Sequence, residues 1–374
     1  MSDSLLITID GRPVTAHAGD TVFTAAKRSG LTIPGLCTSE HLAPFGSCRL
    51  CVCEVEGQKG TPASCTTPVQ AGMVVHTQTE RIVQLRRNVT ELLLSEQPKD
   101  AALPAALQEL TQSVGLDRVR YRQPAVRVQV RDSSNSFFTF DNAICISCAR
   151  CVRACDEMQG TFALTMVGRG FGSRPMAGAS GYGEAATGFA TSNCVSCGAC
   201  VKECPTGALT ERRVSELGHP TSHVRTTCAY CGVGCTFDAG LRDGRVVTMV
   251  PADDGPSNHG HACMKGRFGW TYIYAEDRLK TPMLRTGNTW QAISWDTALD
   301  RLAYEFTRIK TEFGPDALAA ISSSRGTNEE NYLFGKFIRC VMGTNHIDNC
   351  ARVCHSATVT GMMETLGASA ATNS

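Results

Sequence analysis

Residues 194–205 read CVSCGACVKECP and residues 145–156 read CISCARCVRACD, so an eleven-residue cysteine pattern occurs twice in the chain. In a C-x2-C-x2-C run, three thiolates hold three corners of a [4Fe-4S] cubane, and the fourth cysteine reaches across to the other cluster. A structural zinc site is the alternative. The pattern therefore predicts a pair of cubanes, one held by Cys145, Cys148, Cys151 and Cys204 and the other by Cys194, Cys197, Cys200 and Cys155.

The composition excludes several classes of protein. The chain has 374 residues, of which 20 are cysteine, and its 36 basic and 35 acidic residues give a formal charge of +1. Such a charge argues against binding of nucleic acid or an anionic membrane through bulk field. Residues 1–11 contain no twin arginine or apolar signal segment, and no run reaches the roughly 18 apolar residues of a membrane helix. We therefore expect a cytoplasmic protein, without membrane insertion, in which closely spaced cysteines bind metal more often than they form disulfides.

The first part of the chain has the element order of a small β-grasp ferredoxin. Asp10-Gly11 separates two apolar segments, and this dipeptide is typical of the tight turn of a β-hairpin. Asp20 is placed to cap a helix over residues 21–29, which Gly30 ends. The expected strands are residues 4–9 and 12–16, with later strands at Val52, Val55 and 73–77.

Four cysteines of the same region have the spacing C-x10-C-x2-C-x13-C. Four thiolates on a loop and a neighbouring strand can hold two irons, and the small residues Gly46 and Ser47 let backbone amides approach the bridging sulfides. A structural zinc site is the alternative, although zinc sites favour two paired knuckles. Cys53 is interpreted as a core thiol. The predicted [2Fe-2S] ligands are Cys37, Cys48, Cys51 and Cys65.

A further cysteine group has the spacing C-x2-C-x3-C-x27-C. Three close thiolates and one distant thiolate again make a four-ligand cage, for which zinc is the alternative. Lys265 follows the last ligand by two residues and suits a charged bridge to a neighbouring redox group; a solvated surface lysine is the other interpretation. The predicted ligands of this third cubane are Cys228, Cys231, Cys235 and Cys263.

The segments between the cysteine groups carry little chemistry. Residues 79–95 have an apolar stripe with helical period. Residues 168–188 contain seven glycines without the spacing of a nucleotide-binding motif, which indicates a flexible loop.

An α/β pattern follows residue 264. A helical stripe from Leu299 to Ile309 ends at Gly314-Pro315, and residues 317–321 form an apolar run typical of a buried strand. Thr327 and Glu330 then form the capping box of a second helix. The last domain therefore begins like a Rossmann-like layer with a single strand.

Four cysteines remain outside the predicted clusters, and one of them stands out. Cys354 is followed by His355, and Arg352 lies two residues before it. A thiolate beside two potential cations suits a soft metal or a nucleophilic role. A buried inert cysteine is the alternative interpretation.

Together these motifs resemble the N-terminal portion of the molybdenum or tungsten bis-pterin oxidoreductases, as in the alpha subunit of cytosolic NAD-dependent formate dehydrogenase. The resemblance rests on the three kinds of cluster motif, on the sequence CMKGR at 263–267 and on DNCARVCHSATV at 348–359. It implies an α+β multi-domain fold with a β-grasp [2Fe-2S] ferredoxin domain (1–79), a helical connector with a lost His/Cys cluster site (80–136), a bis-[4Fe-4S] ferredoxin module (137–220), a [4Fe-4S] cap domain (221–282) and the start of an α/β molybdopterin-binding domain (283–374).

The resemblance also implies an activity. Formate would give up its hydrogen and two electrons at molybdenum or tungsten held by a bis-molybdopterin guanine dinucleotide, with Cys354 as metal ligand and His355 as acid/base or orienting group. Lys265 is the third residue assigned to catalysis and would lie between a pterin and the nearest cubane. We place Arg352 at the same cofactor. Electron transport through three [4Fe-4S] clusters and one [2Fe-2S] cluster would then reach flavin/NAD-binding iron–sulfur subunits.

Two features depart from the family pattern. Many relatives place a further cubane after the first domain, whereas Gln97, Ala101, Pro104 and Leu110 stand at its ligand positions here, so we expect that cluster to be absent. Relatives also continue past Ser374. We therefore expect the last domain to be incomplete, and this chain alone neither to retain the pterin cofactor nor to oxidise formate.

Two other functions stay open. An electron-transfer subunit of an NADH-quinone-oxidoreductase-like or hydrogenase-like complex shares the N-terminal ferredoxin module, but such relatives usually keep the His-ligated cluster and lack the Cys-His tail. A zinc-scaffold interaction protein would be colourless, whereas an iron–sulfur protein is brown.

Overall fold

The computed structural model describes residues 4–98, 102–121, 131–178, 188–323, 325–350 and 355–367. It divides into two compact units, Met1–His219 and Pro220–Ser374, which are described separately. Among the helices of these described ranges, none combines the length and apolar character that a membrane crossing requires.

The first unit begins with a four-stranded sheet in the order β2-β1-β4-β3. Asp10 and Gly11 both have positive φ, 46° and 77°, as the predicted hairpin turn requires. The first two strands pair antiparallel, the first and fourth pair parallel, and helix α1 packs on this sheet. The elements are β1 Ser4–Ile9, β2 Arg12–His17, α1 Val22–Arg28, β3 Glu54–Val55 and β4 Val74–His76.

The N-cap of α1 is Thr21, and the predicted cap at Asp20 is wrong. The Thr21 hydroxyl accepts a hydrogen bond from the Thr24 amide at 3.2 Å, and Thr24 Oγ1 accepts one from the Thr21 amide, which makes a capping box. Asp20 instead accepts hydrogen bonds from the Arg28 guanidinium at 2.7 and 2.8 Å. This pairing lowers the pKa of Asp20.

Helix α2, Glu80–Ser95, confirms the predicted helix, although Leu92 of its apolar stripe is exposed, and a second helix, α3 at Ala105–Ser113, follows it. Leu110, at one of the expected lost ligand positions, is buried in an apolar core with Leu36 and Leu50. Of the other lost ligand positions, Gln97 is buried, Pro104 is the N-cap of α3, and Ala101 lies outside the described residues.

Arg86 of α2 is a buried cation with backbone partners. Its Nε donates to the Leu50 carbonyl at 2.9 Å and its Nη2 donates to the Val52 carbonyl at 3.0 Å. Burial lowers the pKa of Arg86, and the nearby Cys51 thiolate opposes that shift. One side chain therefore ties α2 to the segment around Cys51, through the carbonyls on either side of that cysteine.

The rest of the first unit has short elements. A three-stranded sheet has the order β5-β6-β9, and β7 pairs antiparallel with β8. The glycine-rich segment is thus not loop throughout, because its residues 174–177 form β8; its residues 179–187 lie outside the described residues. The elements are β5 Arg131–Asp132, β6 Phe138–Asp141, α4 Arg150–Arg153, β7 Leu164–Val167, β8 Arg174–Ala177, α5 Ala199–Lys202, β9 Leu209–Glu211 and α6 Arg212–Leu217.

The second unit begins with an antiparallel sheet in the order β10-β11-β12, followed by the short helix α7 and a hairpin of β13 and β14. Phe237 and Val247 are fully buried between this sheet and its neighbours. The elements are β10 Ser222–Thr227, β11 Thr236–Arg242, β12 Arg245–Pro251, α7 Met264–Phe268, β13 Met283–Thr286 and β14 Thr289–Ala292.

The α/β part contains helix α8 (Trp295–Phe313) and helix α9 (Asn328–Lys336), with the predicted capping box at the start of α9. Strand β15 is Ala320–Ser322 and begins later than predicted, because residues 315–317 form a 3-10 turn. It pairs parallel with β16, Ile347–Asn349, so the expectation of one strand was wrong. The described chain ends in the helix Ser356–Leu366.

The tie made by Arg86 generates a stability prediction. Arg86→Met removes two hydrogen bonds from buried carbonyls, and we expect the free energy of unfolding to fall by about 3 kcal/mol. Arg81→Met is the matched control on the same helix, since Arg81 is exposed and has one 3.5 Å ion pair with Glu54; its loss is expected to be roughly 0.5 kcal/mol or less. Urea unfolding followed by circular dichroism measures both, and equal losses would contradict the assignment.

Candidate iron–sulfur sites

The first group of thiols lies in the ferredoxin-like part of unit 1. Hydrogen bonds from the Cys48 and Cys65 thiols lower the pKa of Cys37 to about 2. A hydrogen bond from Cys65 lowers the pKa of Cys51 to about 6. The four thiols are therefore close enough to form one hydrogen-bonded chain in the order 48, 37, 65, 51. They could hold a cluster of two irons.

Backbone amides point at these sulfurs. The Leu36 amide donates to Cys48 Sγ at 3.4 Å, and the Ser47 and Cys48 amides donate to Cys37. Gly46 has φ of +71°, and a Cβ there would lie 3.2 Å from Thr66 Cγ2. The Ser47 and Cys48 amides thus point at a cysteine sulfur, and their predicted approach to the bridging sulfides stays a prediction. Cys53 lies in the apolar core, where burial raises its pKa to about 11.

The next two groups of thiols exchange their fourth members. Burial, followed by the charges of Cys204 and Cys145, raises the pKa of Cys148 to about 12. For Cys194 the cause is again burial first, with Cys197 and Cys155 as the charged neighbours that raise its pKa. Cys204 therefore lies with the first repeat and Cys155 with the second.

A cavity lies at the second of these groups. Its apolar wall includes Phe138 and Phe189, whose rings meet edge to face with centroids 5.0 Å apart. A cavity lined by four thiols and by apolar side chains fits a [4Fe-4S] cubane. The four thiols in its wall are Cys155, Cys194, Cys197 and Cys200.

The two repeats share an unusual backbone. Ser147 and Ala149 of the first repeat have φ of 52° and 60°, and Ser196 and Gly198 of the second have 54° and 78°. These left-handed residues curl each loop around its thiols. The Ser147 amide donates to Cys145 Sγ at 3.4 Å, and the Ser196 amide donates to Cys194 Sγ at 3.4 Å. The fourth thiols are bonded likewise, by the amides of Ala163 to Cys155 (3.2 Å) and Leu209 to Cys204 (3.4 Å).

Two polar contacts in this module were not found by sequence reasoning. The Arg150 guanidinium donates to Glu203 Oε2 at 2.7 Å, and only 2% of the Glu203 side chain is exposed. Asn135 Nδ2 donates to Ser196 Oγ at 3.0 Å and lies 3.9 Å from Cys194 Sγ. Each contact joins segments more than fifty residues apart in the chain, so no local sequence signal could reveal it.

A third four-thiol group lies in the second unit. Burial, followed by the charges of Cys231 and Cys263, raises the pKa of Cys228, and burial with the charge of Cys228 raises that of Cys235. Cys263 is exposed, and α7 begins directly after it. Lys265 is half-buried on α7.

Of the residues predicted for catalysis, Lys265 lies on α7, and His355 lies near the end of the described chain. Cys354 and Arg352 are outside the described residues. His355 is exposed at the N-cap of the helix Ser356–Leu366, and its carbonyl accepts the Val359 amide at 2.8 Å. The structure therefore describes one member of the predicted catalytic pair.

Across the described ranges, no three His, Cys, Asp or Glu side chains are placed to hold a single metal ion. A cluster spreads its four thiolates over several irons, so this finding bears on single-ion sites and not on clusters.

Four family models match successive stretches of the chain. They describe a 2Fe-2S iron-sulfur cluster binding domain at residues 2–80, a 4Fe-4S dicluster domain at 144–208, a molybdopterin oxidoreductase Fe4S4 domain at 221–275 and molybdopterin oxidoreductase at 278–373. Two of the models are thus molybdopterin oxidoreductase models, and the stretches before them match 2Fe-2S and 4Fe-4S domain models. The multi-domain layout expected from the sequence is confirmed.

Similar proteins carry several names. The alpha subunit of the NADPH-Fe(3+) oxidoreductase of Geobacter sulfurreducens is 35% identical over 96% of this chain and 42% of its own length. A Staphylococcus haemolyticus protein named "Putative formate dehydrogenase" is 27% identical over 98% of this chain and 41% of its own length. The solved NAD+-reducing [NiFe]-hydrogenase is 32% identical over 56% of this chain and 87% of that one, with a TM-score of 0.47. The chain thus spans about two fifths of the length of these curated relatives.

Gly266 provides a test of the third cage. A Cβ at this position would lie 2.9 Å from Phe237 Cζ and 3.3 Å from Cys228 Sγ. We expect Gly266→Ala to lose the third cubane, so that the iron content of the anaerobically purified chain falls by about four atoms. Gly361→Ala is the control, because a Cβ there meets nothing within 4 Å. Full iron content in Gly266→Ala would contradict this role.

Proposed function

We propose that this chain is the front portion of the alpha subunit of an NAD-linked formate dehydrogenase. In this proposal it oxidises formate to carbon dioxide at a molybdenum or tungsten bis-pterin site and passes electrons through iron–sulfur clusters to a flavin/NAD partner. The observation that carries the electron-transfer part is the exchange of Cys155 and Cys204 between the two repeats. The Cys354-His355 pair and the name of the Staphylococcus haemolyticus relative support formate as substrate.

The proposed cluster ligands are the sixteen cysteines in the four groups, and the proposed domains keep the boundaries 1–79, 80–136, 137–220, 221–282 and 283–374. Each group offers four cysteine thiols, which are the usual ligands of iron–sulfur clusters. Backbone amides donate N–H···S hydrogen bonds to Cys48, Cys145 and Cys194, as is typical around such clusters. We propose that the connector 80–136 holds no cluster, since Leu110 of that segment fills an apolar core.

At the proposed heavy-metal site, the protein supplies a ligand and a proton-handling group. When bound, the bis-pterin metal centre would take up two electrons as formate becomes carbon dioxide and a proton. The Cys354 thiolate would ligate the metal, and His355 would orient formate or accept the proton. Lys265, half-buried two residues after the ligand Cys263, would place its ammonium between that cubane and a pterin.

A second candidate is an electron-transfer subunit without formate chemistry. The relative with the higher identity, 35%, is named an NADPH-Fe(3+) oxidoreductase subunit, which favours this alternative. Both candidates use the same four clusters, so they differ only at the heavy-metal centre.

Substitution of Cys354 distinguishes them. In the complete enzyme complex, purified without oxygen, we expect Cys354→Ala to abolish formate-dependent NAD reduction while the iron content stays at about 14 atoms per chain. Cys350→Ala is the matched control, because it removes an exposed thiol four residues away in the same segment. Formate oxidation that survives Cys354→Ala would refute the assigned role. Wild-type complex with full iron, no molybdenum or tungsten and no formate oxidation would favour the electron-transfer subunit.

A further inference from the structure

Two side chains next to the cubane ligands reach the loop that carries Cys37. Arg153 lies in α4 between Cys151 and Cys155, and its Nη2 donates to the Cys37 carbonyl at 2.7 Å. Its other terminal nitrogen donates to the carbonyl of Ala43. Glu157 accepts a hydrogen bond from the Ala43 amide at 2.7 Å. The polypeptide around both cubanes is thereby fastened to the loop of the predicted [2Fe-2S] site.

The Arg153 guanidinium is buried in this contact, with 8% of the residue exposed. Its carbon lies 4.9 Å from the centre of the Phe45 ring, which covers the cation from the ferredoxin side. This cation–π contact and the two hydrogen bonds to carbonyl oxygens together fix the position of the guanidinium. Three independent contacts therefore hold one side chain against one loop.

An apolar contact lies in the same region. Ile146, the neighbour of Cys145, packs against the apolar core that contains Leu36 and Leu50, and Cys48 packs against that core too. Residues next to the [2Fe-2S] ligands and next to the cubane ligands thus pack in one apolar core. Arg153 and Glu157 add polar contacts between the same two regions.

The place of Arg153 gives it influence on both kinds of cluster. Cys37 is a proposed [2Fe-2S] ligand, whereas Cys151 and Cys155 are proposed ligands of the two cubanes. A cation at the carbonyl of a ligand stabilises the more negative, reduced form of that cluster. A rigid contact also fixes the separation of the clusters on its two sides.

We propose that Arg153 and Glu157 form the junction across which electrons pass between the cubane pair and the [2Fe-2S] cluster, with Arg153 as the positioning residue. The inference rests on the electron-transfer part of the proposed function. In the step itself, one electron leaves a reduced [4Fe-4S]¹⁺ cubane, which becomes 2+, and reduces the [2Fe-2S]²⁺ cluster to 1+. No bond forms or breaks, and no proton moves.

Electron paramagnetic resonance of the dithionite-reduced full chain tests the junction. A fast-relaxing cubane at a fixed, short separation raises the microwave power needed to saturate the [2Fe-2S] signal. We expect Arg153→Met to lower that power and to shift the [2Fe-2S] reduction potential downwards, because a cation is lost. Glu157→Ala should lower the saturation power as well but shift the potential upwards, since an anion is lost. Arg153→Lys should retain the wild-type potential.

Arg49→Met is the matched control. Arg49 lies between Cys48 and Cys51, is exposed, and donates to the Thr61 carbonyl at 3.2 Å, within the ferredoxin-like part of unit 1. The Arg49→Met variant removes a cation close to the same cluster but leaves the junction intact. The microwave power that saturates its [2Fe-2S] signal should therefore stay at the wild-type value.

The outcomes distinguish a failure of the junction from a failure of the cluster assignment. Unchanged saturation power in Arg153→Met and Glu157→Ala, with full iron and sulfide content, would overturn the junction alone. A wild-type chain without a [2Fe-2S] signal would overturn the cluster assignment as well. Dithionite replaces formate as the reductant, so a failure of formate oxidation leaves this test intact. If Arg153→Met does not assemble its clusters, Glu157→Ala and Arg153→Lys decide the matter by the same measurements.

Discussion

The exchange of one thiol between two cysteine repeats is the constraint on which the cubane module depends. Cys204 lies with the first repeat and Cys155 with the second, so each proposed cluster joins segments that lie about 40 to 55 residues apart. Helix α5, which carries Cys200, has four residues, and α4, which carries Cys151, continues directly into a π-helical segment, Ala154–Gln159, that carries Cys155. Helices this short are not stable without such cross-links. Binding of the clusters is therefore part of the folding free energy of this module.

The same constraint explains the backbone and the buried charges around it. Thiolates on iron carry negative charge that burial penalises, and the chain offsets it with amide hydrogens and with cations. Left-handed residues aim amides at Cys145 and Cys194, while the buried guanidiniums of Arg86 and Arg153 lie beside the ferredoxin ligands. Structure and redox chemistry thus use the same hydrogen bonds.

Local chemistry explains which features the sequence could predict. Ligand spacing, the Asp10-Gly11 turn and the Thr327 capping box each act within a few residues, and all three show in the sequence. The cap at Thr21 was missed because two adjacent residues could serve, and the structure uses the hydroxyl. Strand β16 and the β7–β8 hairpin are defined by hydrogen bonds to a partner strand, which the local sequence does not show. The bond from Arg153 to Cys37 spans 116 residues and ends on a backbone carbonyl, for which no side chain gives a signal.

The proposed conduit and the proposed catalytic centre make different demands on the chain. Each proposed cluster would take its ligands from one stretch, 37–65, 145–204 or 228–263, and the described residues contain all of these thiols. The heavy-metal centre instead depends on the short tail around Cys354. The two proposed functions, formate dehydrogenase and electron-transfer subunit, therefore share the same set of clusters. A few residues around Cys354 decide which of the two functions the chain has.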